Sequence, residues 1–440
     1  MDFKKLVTLG LVGTTFTALT ACGTKEVAQE PIKVVTELSE PVTIQFWHSM
    51  SGGNGSVLSE IVDDFNNTVG KEKGITVEAT YQGGYSDSKS KIMASLKAGD
   101  SPEIVQGTVN DIMEYVQSGY VQDLDPYIFN GIIGMNGKDD VSDIYKVYRD
   151  ESKSYSTSGD FYSLPFAKST DLLFYNKTFF DEHGLEVPQT WEETIEVSKQ
   201  IQEITGKKGS GFSIDNLSNY LITMLKQLGA GYTNPNGELL FNNETAKEML
   251  ELVKEQIELG NWRTAGEDGY SSAPFLSENV YMYVGSSAGT AFLNEDNFDW
   301  EATNIPQWDL ENQAHIQQGN NVAILNQNKT SDEVYASYEF VKYLVSYEAN
   351  LKWATNTGYL PLRDSVAQSE DFQNFISDKS DKQSAINAVE NGFVESLFAN
   401  GSLSSGIVRD KIGVMAEDII YGGEDVQEAL NKTVEQLNNY

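Results

Sequence analysis

The chain has 440 residues, with 65 Asp plus Glu against 31 Lys plus Arg and a formal charge of −34. At 40% hydrophobic and 11% aromatic it carries enough apolar surface for two or three globular domains, which excludes a disordered chain. The acidity excludes nucleic acid and anionic lipid as electrostatic partners, and a single cysteine excludes an intrachain disulfide and a cysteine-built zinc site.

That cysteine, Cys22, closes the first predicted element. Lys4 and Lys5 precede an apolar run from Leu6 to Leu19, then Leu19-Thr20-Ala21-Cys22. A basic start, an apolar stretch too short to span a bilayer and small residues at the end predict a signal peptide over 1–21. The last four residues resemble the lipobox of bacterial lipoproteins, which implies Cys22 as the lipid attachment point. The resemblance also implies a place on the bacterial cell surface, anchored to the outer face of the cytoplasmic membrane. The alternative is an ordinary signal peptide with an incidental cysteine. Residues 22–40 have no helical or strand period and read as a leash. No later stretch offers about 18 consecutive apolar residues, so contact with the membrane is expected through the anchor only.

From Pro41 strands and helices alternate. Val42–Trp47 predicts a strand, Val57, Leu58, Ile61, Val62 and Phe65 a helix face, Ile75–Tyr81 a strand, and Ile92, Met93 and Leu96 a second helix face. Glu103–Gln106 then predicts a strand, and Ile112, Met113 and Val116 a third helix face. This alternation with short links favours a doubly wound parallel sheet. Further on, 163–166 and 172–175 read as strands flanking Lys168-Ser169-Thr170. Thr190-Trp191-Glu192-Glu193 is a capping box opening a helix to about Ile204. Helices are also predicted over 217–228, 244–259, 332–345 and 424–437, and a strand over 280–284 running into Gly285-Ser286-Ser287-Ala288-Gly289. There is no internal repeat and no low-complexity linker, so two lobes sharing strands fit better than two separate beads.

Ligands of such sheets lie beyond the carboxyl ends of the strands. Here those ends are Trp47-His48-Ser49, Gly83-Gly84-Tyr85 and Gly107-Thr108-Val109-Asn110-Asp111, an aromatic and amide-rich rim.

Several stretches, in order, resemble the extracellular solute-binding proteins of sugar ABC importers. They are Phe46-Trp47-His48-Ser49-Met50, Tyr81-Gln82-Gly83-Gly84-Tyr85, Gly99-Asp100-Ser101-Pro102-Glu103-Ile104, Leu164-Pro165-Phe166, Phe174-Tyr175-Asn176-Lys177 and Thr357-Gly358-Tyr359-Leu360-Pro361. The likeness is greatest to the branch that binds glycerol phosphate and glycerophosphodiesters, and it covers about 41–440. It implies an α/β, two-lobed periplasmic-binding-protein-like fold with hinge strands between the lobes. The N-terminal lobe would be 41–167 plus 314–356 and the C-terminal lobe 168–313 plus 357–440. It further implies a solute held between the lobes of a monomer and delivered to membrane permease subunits, with a separate ATPase as partner and no cofactor. Positions matching the family's ligand-facing places are Trp47, His48, Tyr85, Ser169, Ser287, Gly319 and Tyr359. Two departures weaken a phosphate ligand. Thr108-Val109-Asn110 stands where the glycerol phosphate branch has a glutamate, and Gly401-Ser402-Leu403-Ser404-Ser405 stands in place of its arginine-bearing loop. Arg409 is the nearest arginine and is expected on the following helix.

The chemistry of the residues agrees with a saccharide or polyol, whose apolar faces want aromatic platforms and whose hydroxyls want neutral or carboxylate partners. Platforms are Trp47, Tyr85, Trp262, Trp300, Trp308 and Tyr359; partners are Asn110, Asp111, Ser169, Asp215, Asn216, Ser287 and Asn320. Trp262, Trp300 and Trp353 read as core. Asn110 could instead cap the helix holding Met113, and His48 could be a structural histidine. A glycerol phosphate or glycerophosphodiester remains the alternative ligand. Gly285–Gly289 also fits the G-x-S-x-G elbow of a serine hydrolase, but a triad on Ser287 would need His315 and an acid such as Asp296 or Asp309 within 28 positions. No acid sits in a recognisable glycosidase motif. His48, His183 and His315 are scattered, and Glu295-Asp296-Asn297-Phe298-Asp299 lacks the glycine of a calcium loop, so no metal is expected. The expected mechanism is a population shift, in which Trp47, Tyr85 and Asn110 close on Ser169, Ser287 and Tyr359 about hinges near 167–170, 313–317 and 356–358.

Overall fold

The computed structural model describes residues 32–293 and 297–440. The expected signal peptide, Cys22, the first part of the leash and Asp296 lie outside the described residues. Strand β1 (Val42–His48) alternates inward Ile44, Phe46 and His48 with half-buried residues, and β2 (Ile75–Tyr81) and β3 (Ile104–Thr108) lie beside it. They are followed by β4 (Leu164–Asn176), β5 (Phe212–Ile214), β6 (Trp262–Thr264), β7 (Met282–Ser286), β8 (Trp300–Asn304), β9 (His315–Ile324) and the two-residue β10 (Gly392–Phe393). One sheet runs in the order β2-β1-β3-β9-β4-β7-β5-β6, with β8 also on β4 and β10 on β9.

The doubly wound parallel sheet expected from the alternation exists only at the two ends. There β2, β1 and β3 are parallel, as are β6, β5 and β7. In the middle β9 is antiparallel to β3 and β4, and β4 is antiparallel to β7 and β8. The reason is long range: β9 returns to the first half of the sheet from far along the chain, so no short helical crossover fixes its direction. The two strands expected around Lys168-Ser169-Thr170 are one 13-residue strand, buried throughout. Its first half pairs with β9, and its second lies between β7 and β8. The strands expected at 103–106 and 280–284 start later and reach Thr108 and Ser286.

Helices form where the periodicity places them, at Gly52–Asn67, Tyr85–Ala98, Val109–Gln117, Trp191–Thr205, Leu217–Gln227, Glu244–Leu259, Ser331–Leu344 and Val426–Leu437. The Thr190 and Glu193 capping box is present with both reciprocal bonds, and Thr330 and Glu333 make a second one. Helices Lys146–Lys153, Ser380–Glu390 and Ser405–Tyr421 carry residues important below.

One core joins Ile44, Phe46, Phe65, Ile104, Phe166, Val322, Phe340 and Trp353. A second joins Ile112, Leu173, Trp191, Phe212, Trp262, Ile412 and Leu430. The alternation of β4 divides its side chains, Leu173 to the second core and Leu172 and Phe174 to a third with Tyr283 and Phe275. The expected leash ends early, because Ile32, Val34, Val35 and Leu38 pack against the first core and Ser39 bonds to Asp332. These short apolar residues are too sparse to show a period, yet burying them is favourable.

Candidate functional site

One face of the middle of the sheet forms a polar floor. Ser169 and Asp171 on β4 and Gln318 and Asn320 on β9 share it by alternation, with Ser169 opposite Gln318 and Ala167 opposite Asn320. The Asn219 amide, from helix 217–227, donates to Asp171 Oδ2 at 3.1 Å and to Gln318 Oε1 at 2.7 Å, and Gln318 donates back to Asn219 Oδ1 at 2.6 Å. Asn320 is 2% exposed, its amide donates to the Tyr85 hydroxyl at 2.9 Å, and its Oδ1 has no partner. Burial pushes the Asp171 carboxyl up to about 6, against the opposing pull of Asn219 and Arg409.

Tyr85 opens helix 85–98 from the Gly83-Gly84 turn and remains half-exposed. Its hydroxyl lies 3.5 Å from that of Tyr359, which is buried and stacked on Trp353 at 5.5 Å and 16°. Tyr270 is a third, mostly solvent-exposed tyrosine.

Beyond this floor the two halves of the chain meet along a seam. Ser405 Oγ donates to Asn110 Oδ1 at 2.5 Å, the Asn110 amide donates to Glu395 Oε1 at 3.3 Å, and Ser404 donates to Glu114 at 3.2 Å. Arg409 lies on helix 405–421, as expected, and its Nη1 donates to Glu395 Oε1 at 2.8 Å. The negative charges of Glu395 and Asp171 and the Tyr232 hydroxyl hold the guanidinium above its usual range despite its burial.

The predicted residues divide between this site and other duties. Tyr85, Asn320 and Tyr359 come together through their polar atoms, Ser169 shares their face, and Asn110 stands at the seam. Asn110 is not the helix cap: Thr108 is, accepting from the Asp111 amide at 3.2 Å. Asp111 is taken up by the Thr108 hydroxyl and by Lys89 at 3.0 Å. Asn216 is exposed and caps helix 217–227, and Asp215 accepts from the Ser271 amide at 2.6 Å. The Ser287 hydroxyl accepts from the Thr170 amide at 3.2 Å. It has no bond to His315, whose Nε2 lies 3.4 Å from Gln313, so the geometry holds no serine–histidine pair. Gly319 lies where β9 passes close to β4: a Cβ there would meet the Ala167 carbonyl oxygen. Trp47 is half-buried on β1, against the second core. Trp262 is core, donating to Ser198 at 2.8 Å, and Trp353 is core. Trp300 packs on Phe174, and the Trp308 indole donates to the Met224 sulfur. Among the described residues no group of three acidic, histidine or cysteine side chains is placed to hold a metal.

Asp171, Asn219, Gln318 and Glu395 are site residues that the sequence does not single out. Asp171 and Gln318 were within reach, since a period of two from Ser169 and from Asn320 leads directly to them.

The His48 ring lies 5.6 Å from that of Phe46 and 6.2 Å from that of Tyr81, tilted to both, and accepts from the Met50 amide at 3.2 Å. Burial lowers it, and His315, to about 4. Both folded values lie below the unfolded value near 6.5, so the unfolded chain binds more protons between those limits. Their stabilising contribution is therefore full above about pH 6.5 and is lost as pH falls toward 4, at most about 3 kcal/mol for each. Asp171, raised in the fold, works in the opposite sense below about pH 6. Urea melts at pH 7 and 4.5 should show that His315→Gln loses less stability on acidification than the wild-type chain; an identical pH slope for the two would contradict this.

Residues 60–378 match the family described as bacterial extracellular solute-binding protein. The sn-glycerol-3-phosphate-binding periplasmic protein UgpB of Yersinia pestis is 25% identical over 338 residues, 72% of this chain and 74% of the relative. Among solved structures, UgpB of Mycobacterium tuberculosis in complex with glycerophosphocholine superposes with a TM-score of 0.77 at 21% identity, covering 91% of this chain and 98% of that one. The GacH receptor of Streptomyces glaucescens, solved unliganded and with acarbose, gives 0.76 at 20% identity, covering 92% and 100%. The fold is that of two-lobed binding proteins, and the chain belongs to the family of bacterial extracellular solute-binding proteins.

Proposed function

We propose that this protein captures a neutral saccharide or polyol between its lobes and hands it to the permease of an ABC importer. The observation that carries the choice of solute is the polar floor of β4 and β9. It offers acceptors, including the unpartnered Asn320 Oδ1 and the Asp171 carboxyl, while the arginine beside it is already paired. Hydroxyl groups donate to acceptors of this kind, and Tyr85 gives a sugar face a flat surface. GacH, solved with acarbose, supports a carbohydrate of this kind.

The lobes would be 41–167 with 314–356 and 168–313 with 357–440, moving about the segments where β4 and β9 cross. Ser169, Ser287 and Tyr359 would close against Trp47, Tyr85 and Asn110. The protein would act as a monomer, held to the outer face of the membrane through Cys22, with ATP hydrolysed by a separate subunit. A glycerol phosphate or glycerophosphodiester is the second reading, favoured by the names of the two UgpB relatives.

A thermal-shift screen of the full chain against maltooligosaccharides, polyols, sn-glycerol 3-phosphate and glycerophosphocholine separates the two readings. A solute at 100 times its dissociation constant adds about 2.7 kcal/mol of stability. At least one neutral member should raise the melting temperature, and Tyr85→Ala should weaken its binding by roughly tenfold, the loss of about 1.4 kcal/mol of aromatic contact. A response confined to the phosphate-bearing members would sink the neutral reading.

A further inference from the structure

The loop after β10 brings Glu395 into the seam, where one carboxylate oxygen takes both the Arg409 guanidinium at 2.8 Å and the Asn110 amide at 3.3 Å. The Glu395 side chain is 10% exposed and that of Arg409 17%. Only Oε1 is used; Oε2 is buried without a partner, and so is the nearby Tyr232 hydroxyl. The pair is thus a single contact rather than the two-pronged fit that a guanidinium makes with a carboxylate or phosphate when free to choose its geometry. Asp171, on the sheet, is close enough for its negative charge to act on the same guanidinium, to which it makes no direct bond. Arg409 therefore feels two carboxylates supplied by the chain itself and is bonded to one of them.

We infer that Glu395 is the specificity-determining residue of the seam, an internal anion that occupies Arg409 and thereby turns away solutes carrying phosphate or carboxylate. An entering anion would have to displace Glu395 and leave its carboxylate buried and unpaired beside the newcomer and Asp171, an arrangement in which like charges repel in a region shielded from water. A neutral solute meets no such opposition and can leave the pair intact. Asn110, bonded to both Glu395 and Ser405, holds the carboxylate in register with the opposite half of the molecule. This inference rests on the neutral-solute reading, which it explains through one side chain.

Glu395→Gln keeps the shape and removes the charge, freeing Arg409. Calorimetric titration with inorganic phosphate and with sn-glycerol 3-phosphate should show at least tenfold tighter binding to Glu395→Gln than to the wild-type chain. The gain should vanish in the double variant Glu395→Gln, Arg409→Gln. Glu395→Ser is the second variant should the glutamine protein fold poorly, and an anion-dependent rise in melting temperature can be read against each variant's own baseline. Equal affinities, or tighter binding of either anion by the wild type, would overturn the inference. A saccharide titration on the same proteins separates the two ideas. If no saccharide binds but Glu395→Gln gains the anion, the neutral-solute reading fails alone. If saccharide binds and no anion is gained, the inference about Glu395 fails alone.

Discussion

Lys168→Met is expected to destabilise the protein by about 3–5 kcal/mol, while the double variant Lys168→Met, Glu151→Gln recovers most of the loss. Lys168 is fully buried on β4 and forms an ion pair with the equally buried Glu151 of helix 146–153. Burial lowers the amine and raises the carboxyl, each opposed by its partner. The ammonium also lies 5.7 Å over the ring of Tyr148, whose hydroxyl donates to Gln317 at 3.0 Å. Around them the Asn321 amide donates to the Ser163 and Tyr155 hydroxyls. Removing one charge leaves the other without compensation in a dry site, whereas removing both replaces a costly pair by neutral groups. Denaturant melts of the single and double variants measure the difference. A single variant within about 1 kcal/mol of wild type would mean that the pair contributes no more than a surface contact.

Gly319→Ala should cost at least about 3 kcal/mol, combining backbone strain with a collision. Gly319 has φ +114, and a Cβ there would sit 1.9 Å from the carbonyl oxygen of Ala167 across β9 and β4. The register between the strands also shifts between Pro165 and Ala167, next to the point where Gly319 meets the Ala167 carbonyl. Any side chain would force them apart, moving Ser169 and Gln318 with them. Solute affinity should fall together with stability; a variant that melts and binds like wild type would show that the strands can part without consequence.

Much of this frame was legible in the sequence because it rests on local signals. The Thr190 and Glu193 capping box and the apolar period of 244–259 need only neighbouring residues, and both are found as expected. The antiparallel centre was not legible, because β9 pairs with strands more than a hundred residues away and no local pattern encodes its direction. Reading β4 as two strands had a second effect. It broke the alternation that links Ser169 to Asp171, so half of the polar floor was passed over. Polar residues at strand ends look like ligand partners in the sequence, yet Asn216 and Asp111 are consumed by helix starts and Asp215 by a loop amide. Such duties depend on where the helix begins, to within a residue. Glu395 had no local signal at all, since its meaning comes from Arg409 and Asn110, which reach it from different elements.

We propose that the solute lies on the floor formed by β4 and β9, beside the seam. A separate cavity of about 670 Å³ between helices 146–153 and 380–390, lined by Tyr145, Val147, Ile386 and Phe393, provides an internal comparison. Backbone hydrogen exchange on the full chain, with and without the neutral saccharide giving the largest thermal shift, distinguishes the two places. Added protection should concentrate at 106–111, 167–171, 317–321 and 404–410. Protection centred on 145–150 and 386–394, with the seam unchanged, would contradict it.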